Sequence, residues 1–324
     1  MKKARKQYIK SCEVSEVVTV NLGGYPQKIA IEGRKKNLPV VICLHGGPGS
    51  PVPFSVGARG LFPDWTDTAI MVYWDQLGCG INNRKIDNSF TIDSFVEMTC
   101  DLAREIKTRF PQNKLYLFGI SWGSVLALKA ALRLSELLSG AFVYGQLLKG
   151  EFFSEEIAEA FSSAPRKVRE EMDEILKTGA DCSYKVLNKN LQKRFKYINK
   201  YTNGYINKNG EPLKIGEIAK GLFTSPDYRF RDFIAVVKNG YRGNESLVRE
   251  VLAIDLTKEL CDVRIPYFIL QGDTDLVTST NTVCEAVQNC GNENVTVKIV
   301  ENSGHMPSGK GMEEAIHALT EFIS

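Results

Sequence analysis

Ser121 stands between two glycines in Gly119-Ile-Ser-Trp-Gly123, after the apolar run Lys114-Leu-Tyr-Leu-Phe118 and before Val-Leu-Ala-Leu-Lys-Ala-Ala. β-formers feeding an Ala/Leu-rich stretch predict a strand that turns directly into a helix, and the flanking glycines allow a turn too tight for a Cβ. A G-x-S-x-G turn of this kind is a nucleophile elbow: it exposes the hydroxyl and points the next backbone N–H, that of Trp122, into a reaction site. The same pentapeptide also suits a glycine-bounded N-cap serine, so the pattern does not decide alone. A neutral hydroxyl is a poor nucleophile, and the elbow reading needs an imidazole to take the proton and a carboxylate to orient that imidazole.

The chain has only three histidines. His317 lies in a helical context, Glu-Glu-Ala-Ile-His-Ala-Leu. His45 follows a strand directly before Gly-Gly-Pro-Gly and reads as a loop-shaping hydrogen-bonder. His305, in Glu-Asn-Ser-Gly-His-Met-Pro, follows the last strand, where an open parallel sheet places ligand-contacting loops, and is the base by elimination. For the carboxylate, Ile269-Leu-Gln-Gly-Asp-Thr-Asp-Leu-Val277 offers Asp273 and Asp275. Asp275 lies further from the turn glycine, where it can reach the next loop, and is preferred; an Asx-turn role suits either residue. Acyl chemistry also needs an oxyanion hole. His45-Gly-Gly-Pro-Gly49 is a loop without side chains at a strand end, and Gly47 is its expected donor beside Trp122.

These residues need elements to hold them. Residues 14 to 33 alternate apolar and polar around Gly23-Gly24, which predicts a hairpin. Pro39 to Leu44 and Ala69 to Trp74 are continuous apolar runs that stop at glycine-rich loops, as buried parallel strands do. Helical spacing between Thr91 and Phe110 follows, then the elbow strand and helix and a further strand near Gly140 to Tyr144. The alternation predicts an α/β, doubly wound sheet, and the order Ser, Asp, His is that of an α/β-hydrolase. From Leu148 to Asn239 the chain turns rich in Glu, Lys and Arg, with helical stretches at 154 to 178 and 184 to 198, and reads as an insertion. Strands resume at Ile265 to Leu270 and Val295 to Val300, and Glu313 to Ile323 closes the chain as a helix.

The 324 residues are 43% hydrophobic, enough for a large core, and 41 Lys and Arg against 38 Asp and Glu leave a formal charge of only +3. That balance carries no footprint for nucleic acid. No apolar stretch is long enough to span a bilayer. The basic start MKKARKQYIK is followed by no apolar signal region and reads as a solvated tail. Eight scattered cysteines, several inside apolar runs, suit reduced thiols in a cytoplasmic protein. With no C-x-x-C, a structural zinc site is not expected, and the chemistry outlined above calls for no cofactor.

The set HGGPG at 45 to 49, WDQLGCG at 74 to 80, GISWGS at 119 to 124, GDTD at 272 to 275 and GHMP at 304 to 307 resembles the proline iminopeptidase group of α/β-hydrolases, over nearly the whole chain outside the insertion. The resemblance implies a mostly parallel sheet with a helical cap between the sixth and seventh core strands: core 1–147, cap 148–239, core 240–324. It implies Ser121, Asp275 and His305 as a triad and Gly47 with Trp122 at the oxyanion hole. Leu77 and Ile81-Asn-Asn83 depart from the Arg and Ser usual after Asp-Gln and after the second glycine. Aminopeptidases of the group hold the substrate's α-amine with acidic cap residues. Here Gly243-Asn-Glu resembles the segment carrying one such glutamate, which makes Glu245 a candidate substrate anchor, while Leu276 replaces an acidic residue that some relatives carry after the catalytic Asp. The implied function is a serine hydrolase that works through an acyl enzyme on short peptides with a free N-terminus. A carboxylesterase or lactone hydrolase is the alternative, and a hydrolase-fold protein that binds a ligand without turnover is the non-enzyme alternative.

Overall fold

A computed structural model describes residues 2–150, 155–211, 214–237 and 244–324. Its eight strands are β1 (Val14–Leu22), β2 (Tyr25–Gly33), β3 (Val40–Leu44), β4 (Ile70–Trp74), β5 (Leu115–Ile120), β6 (Gly140–Tyr144), β7 (Tyr267–Gly272) and β8 (Val295–Val300). They form one sheet in the order β1-β2-β4-β3-β5-β6-β7-β8. The β1–β2 hairpin runs antiparallel and joins β4 antiparallel, and every pairing from β4 through β8 is parallel.

Helices α1 (Lys2–Ser11), α2 (Pro63–Thr66), α3 (Ile92–Arg109) and α4 (Trp122–Arg133) precede β6. Between β6 and β7 come α5 (Glu155–Ala160), α6 (Arg166–Thr178), α7 (Tyr184–Tyr201), α8 (Ile215–Phe223), α9 (Phe230–Val237), α10 (Glu245–Leu252) and α11 (Thr257–Cys261), and α12 (Thr280–Cys290) and α13 (Gly309–Ile323) complete the chain.

All five residues of β3 are buried, because helices cover both sheet faces. Val40, Ile42 and Leu44 enter the cluster under α3, α4 and α12, while Val41 and Cys43 enter the one under α2 and α13. A third cluster, Ile157, Phe161, Ala164, Val168, Met172, Ile175 and Ile198, belongs to α5, α6 and α7 and the turn between them. The inserted helices leave and rejoin the sheet at one point: Lys149 and Asp255 form an antiparallel bridge, with Gly150 N–H on the Ile254 carbonyl at 2.9 Å and Leu256 N–H on that of Leu148 at 2.8 Å.

Two local expectations are corrected. The stretch expected as helix from 154 to 178, whose first residue lies outside the described residues, is two helices over 155 to 178, interrupted before Pro165, whose fixed φ and missing N–H suit the residue preceding a helix rather than its interior. The basic N-terminus is not a solvated tail. It forms α1, and Arg5 is only 5% exposed, its guanidinium donating to the carbonyls of Arg59 at 2.7 Å, Gly221 at 2.8 Å and Gly57 at 2.7 Å. Composition hid this, because the helix docks through a buried cation on carbonyl oxygens rather than through an apolar stripe.

Candidate active site

The turn from β5 into α4 puts Ser121 at φ 52° and ψ −119°, a strained region for a residue with a side chain. Contacts from both sides hold it there. Ser121 N–H donates to the Tyr144 carbonyl of β6 at 2.9 Å, and its own carbonyl accepts from the Ser124 N–H at 2.8 Å and the Ser124 hydroxyl at 2.6 Å. The flanking glycines have steric reasons. A Cβ on Gly123 would lie 1.9 Å from the Leu44 carbonyl oxygen, and one on Gly119 would lie 2.7 Å from that of Gly123. Only side-chain-free residues let the start of α4 seat against the end of β3.

The loops after β7 and β8 bring the other two groups to the serine. His305 Nε2 is 3.0 Å from Ser121 Oγ, and its Nδ1 is 2.9 Å from Asp275 Oδ2. Asp275 is fully surrounded: Oδ1 accepts from the N–H groups of Val277 at 2.7 Å and Thr278 at 2.9 Å, and Oδ2 also accepts from the Thr278 hydroxyl at 2.7 Å and Gln271 Nε2 at 3.2 Å. A carboxylate so supplied with donors stays an acceptor, so His305 carries its proton on Nδ1 and turns the Nε2 lone pair toward the hydroxyl. Asp273 faces elsewhere. Its two oxygens take the N–H groups of Asn302 at 2.9 Å and Ser303 at 3.0 Å, which shapes the loop that carries His305.

The glycine loop after β3 lies against the elbow: a Cβ on Gly46 would sit 3.9 Å from Ser121 Oγ. Gly47 follows with φ 120°, and Trp122 opens α4, where a backbone N–H has no carbonyl one turn back. His45 braces this loop. Nδ1–H donates to the Gly46 carbonyl at 2.9 Å and Nε2 accepts the Gln76 N–H at 2.9 Å, a pattern that only neutral imidazole satisfies. Burial agrees, holding its pKa down to about 4. Gln76 then links loop and elbow, donating to the His45 carbonyl at 3.1 Å and accepting from Trp122 Nε1 at 2.9 Å. Sequence reasoning left Gln76, Thr278 and Gln271 without a role. Gln76 alone had a signal, its place in the Trp-Asp-Gln segment.

Glu245 is not brought to this cluster. It is the first residue of α10, where Asn244 is the N-cap, and it bonds Arg249 one turn on, Oε1 to Nε at 2.8 Å. Arg249 also donates to the carbonyls of Ala180 and Cys182, at 3.0 and 2.9 Å. Leu276, beside Asp275, packs against the apolar cluster of the inserted helices together with Tyr197, Tyr201 and Tyr205. Among the described residues no helix is long and apolar enough to cross a membrane, and no group of three or more His, Cys, Asp or Glu is placed to hold a metal ion.

Residues 39–311 match the family model of the alpha/beta hydrolase fold. The chain belongs to that family. Within it the relatives are of the proline iminopeptidase-like group. A proline iminopeptidase of Saccharolobus solfataricus is 26% identical over 307 residues, covering 92% of this chain and 88% of that one. A probable aminopeptidase of Bacillus subtilis is 35% identical over 112 residues, which span about a third of either chain (34% of each). Among solved structures, the proline iminopeptidase of Mycobacterium smegmatis aligns over 95% of this chain and 97% of its own with a TM-score of 0.64 at 18% identity, a likeness of fold.

Proposed function

We propose that this hydrolase works through a covalent acyl enzyme on Ser121, with His305 as base and Asp275 as the carboxylate that orients it. The observation that carries the reading is the continuous relay from Ser121 Oγ to His305 Nε2 at 3.0 Å and from His305 Nδ1 to Asp275 Oδ2 at 2.9 Å. In it Ser121 Oγ attacks a substrate carbonyl carbon as its proton passes to His305 Nε2. The oxyanion faces the N–H groups of Gly47 and Trp122, and the tetrahedral intermediate collapses as the imidazolium gives its proton to the leaving group. Water, activated by the same imidazole, attacks the ester carbonyl and frees Ser121. The inserted helices between 148 and 239 serve as a cap over this centre. Intact mass after treatment with a fluorophosphonate tests the assignment: one adduct is expected on the wild type and none on Ser121→Ala. An adduct that persists in the variant overturns it, and labelling without turnover of any aminoacyl amide or p-nitrophenyl ester points instead to a ligand-binding protein.

For the substrate, the likeness to proteins named proline iminopeptidase supports a short peptide with a free N-terminus. A second reading, a neutral ester or lactone, is favoured by two observations: Glu245 is already paired with Arg249, and the position after Asp275 is apolar Leu276. The readings part on Glu245→Gln. Loss of an amine anchor lowers kcat/KM for an aminoacyl amide by about 2–4 kcal/mol and spares a matched ester. A helix-start residue bonded to its own helix gives small and equal changes on both. The Arg249 pairing supports the second outcome, read from steady-state assays on the two substrates.

A further inference from the structure

The loops that carry Asp275 and His305 do not meet only each other. An irregular strap that leaves the C-terminus of α7, residues 202 to 211, runs across both. The Gly204 carbonyl accepts from the Leu276 and His305 N–H groups, each at 3.2 Å, and the Tyr205 carbonyl accepts from Met306 N–H at 2.8 Å. Ile206 and Met306 form a parallel bridge. The approach is too close for side chains: a Cβ on Gly304, next to His305, would lie 2.7 Å from the Asn203 carbonyl oxygen and 2.8 Å from that of Tyr205.

Thr274 stands where the three segments join. Its N–H donates to the Ser303 carbonyl at 3.1 Å. Its Oγ1 lies 2.9 Å from the Asn203 carbonyl of the strap and 3.1 Å from the Ser303 carbonyl of the histidine loop, and it accepts from Asn207 Nδ2 of the strap at 3.3 Å. One hydroxyl thus contacts the strap twice and the histidine loop once, from the residue between Asp273 and Asp275. It touches none of the reacting atoms.

We propose that Thr274 is a positioning residue, whose hydroxyl locks the histidine loop and the α7 strap to the aspartate loop and so sets the distance from Asp275 to His305. The proposal rests on the acyl-enzyme reading for its kinetic consequence but not for its geometry. A base displaced by a fraction of an ångström from its partner costs rate steeply, since orientation supplies much of an enzyme's advantage. The lock also makes this end of the inserted helices part of the catalytic frame, so any opening of the cap must take place elsewhere.

The test compares wild type, Thr274→Val, which keeps the shape and removes the hydroxyl, and Thr274→Ser, which restores it. Two readouts are taken: kcat and KM on the best substrate of the wild type, and the NMR signal of the His305 Nδ1 proton, which reports its bond to Asp275 without turnover. Thr274→Val is expected to lower kcat by about ten- to a hundredfold with KM held, and to broaden the Nδ1 signal by faster exchange with water. Thr274→Ser is expected to keep wild-type values in both. Should Thr274→Val not fold, Asn207→Ala removes one of the two strap contacts of that hydroxyl, leaving the one to the Asn203 carbonyl, and is expected to show a smaller loss in the same direction in both readouts. Wild-type kcat and an unbroadened signal in the folded valine (or Asn207→Ala) variant overturn the proposal, as does an equal loss in the serine variant. If the wild type neither turns over a substrate nor takes up a phosphonate, the acyl-enzyme reading fails, and the Nδ1 signal still decides the positioning role.

Discussion

At the scale of single residues, two aspartates two positions apart divide one task. Asp275 faces the imidazole, while Asp273 ties down the backbone of Asn302 and Ser303. Their isosteric variants should therefore part widely. Asp275→Asn presents an amide to Nδ1 and favours the wrong tautomer, and in the well-studied serine protease case such a change costs about ten-thousandfold in kcat. Asp273→Asn keeps one acceptor and exchanges the other for a donor facing an N–H. Losing one bond to a carboxylate costs about 1.5–3 kcal/mol, roughly ten- to a hundredfold if all of it appears in the barrier. Paired steady-state assays check this, and a reversal of the two losses would show that the aspartates have been misassigned.

At the scale of elements, the Tyr228 side chain fastens the segment between α8 and α9 to the end of β4, beside the Arg59–Asp227 ion pair that holds the same segment. The Tyr228 hydroxyl donates to Asp75 Oδ2 at the end of β4, and Asp75 also accepts from the N–H groups of Val56 at 2.9 Å and Ile81 at 2.8 Å. The fit is steric as well, since a Cβ on Gly57 would meet the Tyr228 ring at 2.6 Å. Burial raises the Asp75 carboxyl to about pKa 6 from its ordinary 3.8, and the Tyr228 and backbone donors hold it below what burial alone would give. A folded-state pKa above the unfolded one means that Asp75 favours the fold at low pH and that this contribution is lost as pH rises from about 4 through about 6. Tyr228→Phe removes a donor whose bond to the ionised form is the stronger, and it pushes that pKa further up. Urea unfolding should show a deficit of about 1.5–3 kcal/mol near pH 8 that shrinks to about 0.5–1.5 kcal/mol near pH 4. A deficit that grew as pH fell would contradict the linkage.

At the scale of the molecule, the N-terminal helix connects regions that the chain order keeps apart. Arg5 of α1 bonds the carbonyls of Gly57 and Arg59 on the core side and of Gly221 in α8, and beside it Arg59 bonds Asp227 at 2.6 Å. Burial pulls the Arg5 pKa down to about 10, still charged at neutral pH. Arg5→Met would leave three carbonyls without their donor, and a loss of about 1–3 kcal/mol in urea unfolding is expected. Lys3→Met, at an exposed position of the same helix, should fall within about 0.5 kcal/mol of wild type. Equal midpoints for the two variants would show that α1 is not a structural tie.

The sequence by itself determined what depends on neighbours in the chain. Apolar runs of strand length made buried parallel strands, helical spacing made α3, an Ala/Leu-rich stretch after a strand made α4, and two glycines around Ser121 made a turn that no other residues could enter. The ion pair of Glu245 with Arg249 is of this kind too, readable as a one-turn spacing once a helix is placed there. Tertiary structure decided the rest. Whether Asp273 or Asp275 meets an imidazole thirty residues on, which proton His45 keeps, why Gln76 joins a loop to an elbow, and how Arg5 and Thr274 fasten the inserted helices all depend on hydrogen bonds across large chain separations. Such bonds leave no period in a sequence, because their strength comes from the direction and burial of single polar groups rather than from a repeating apolar face.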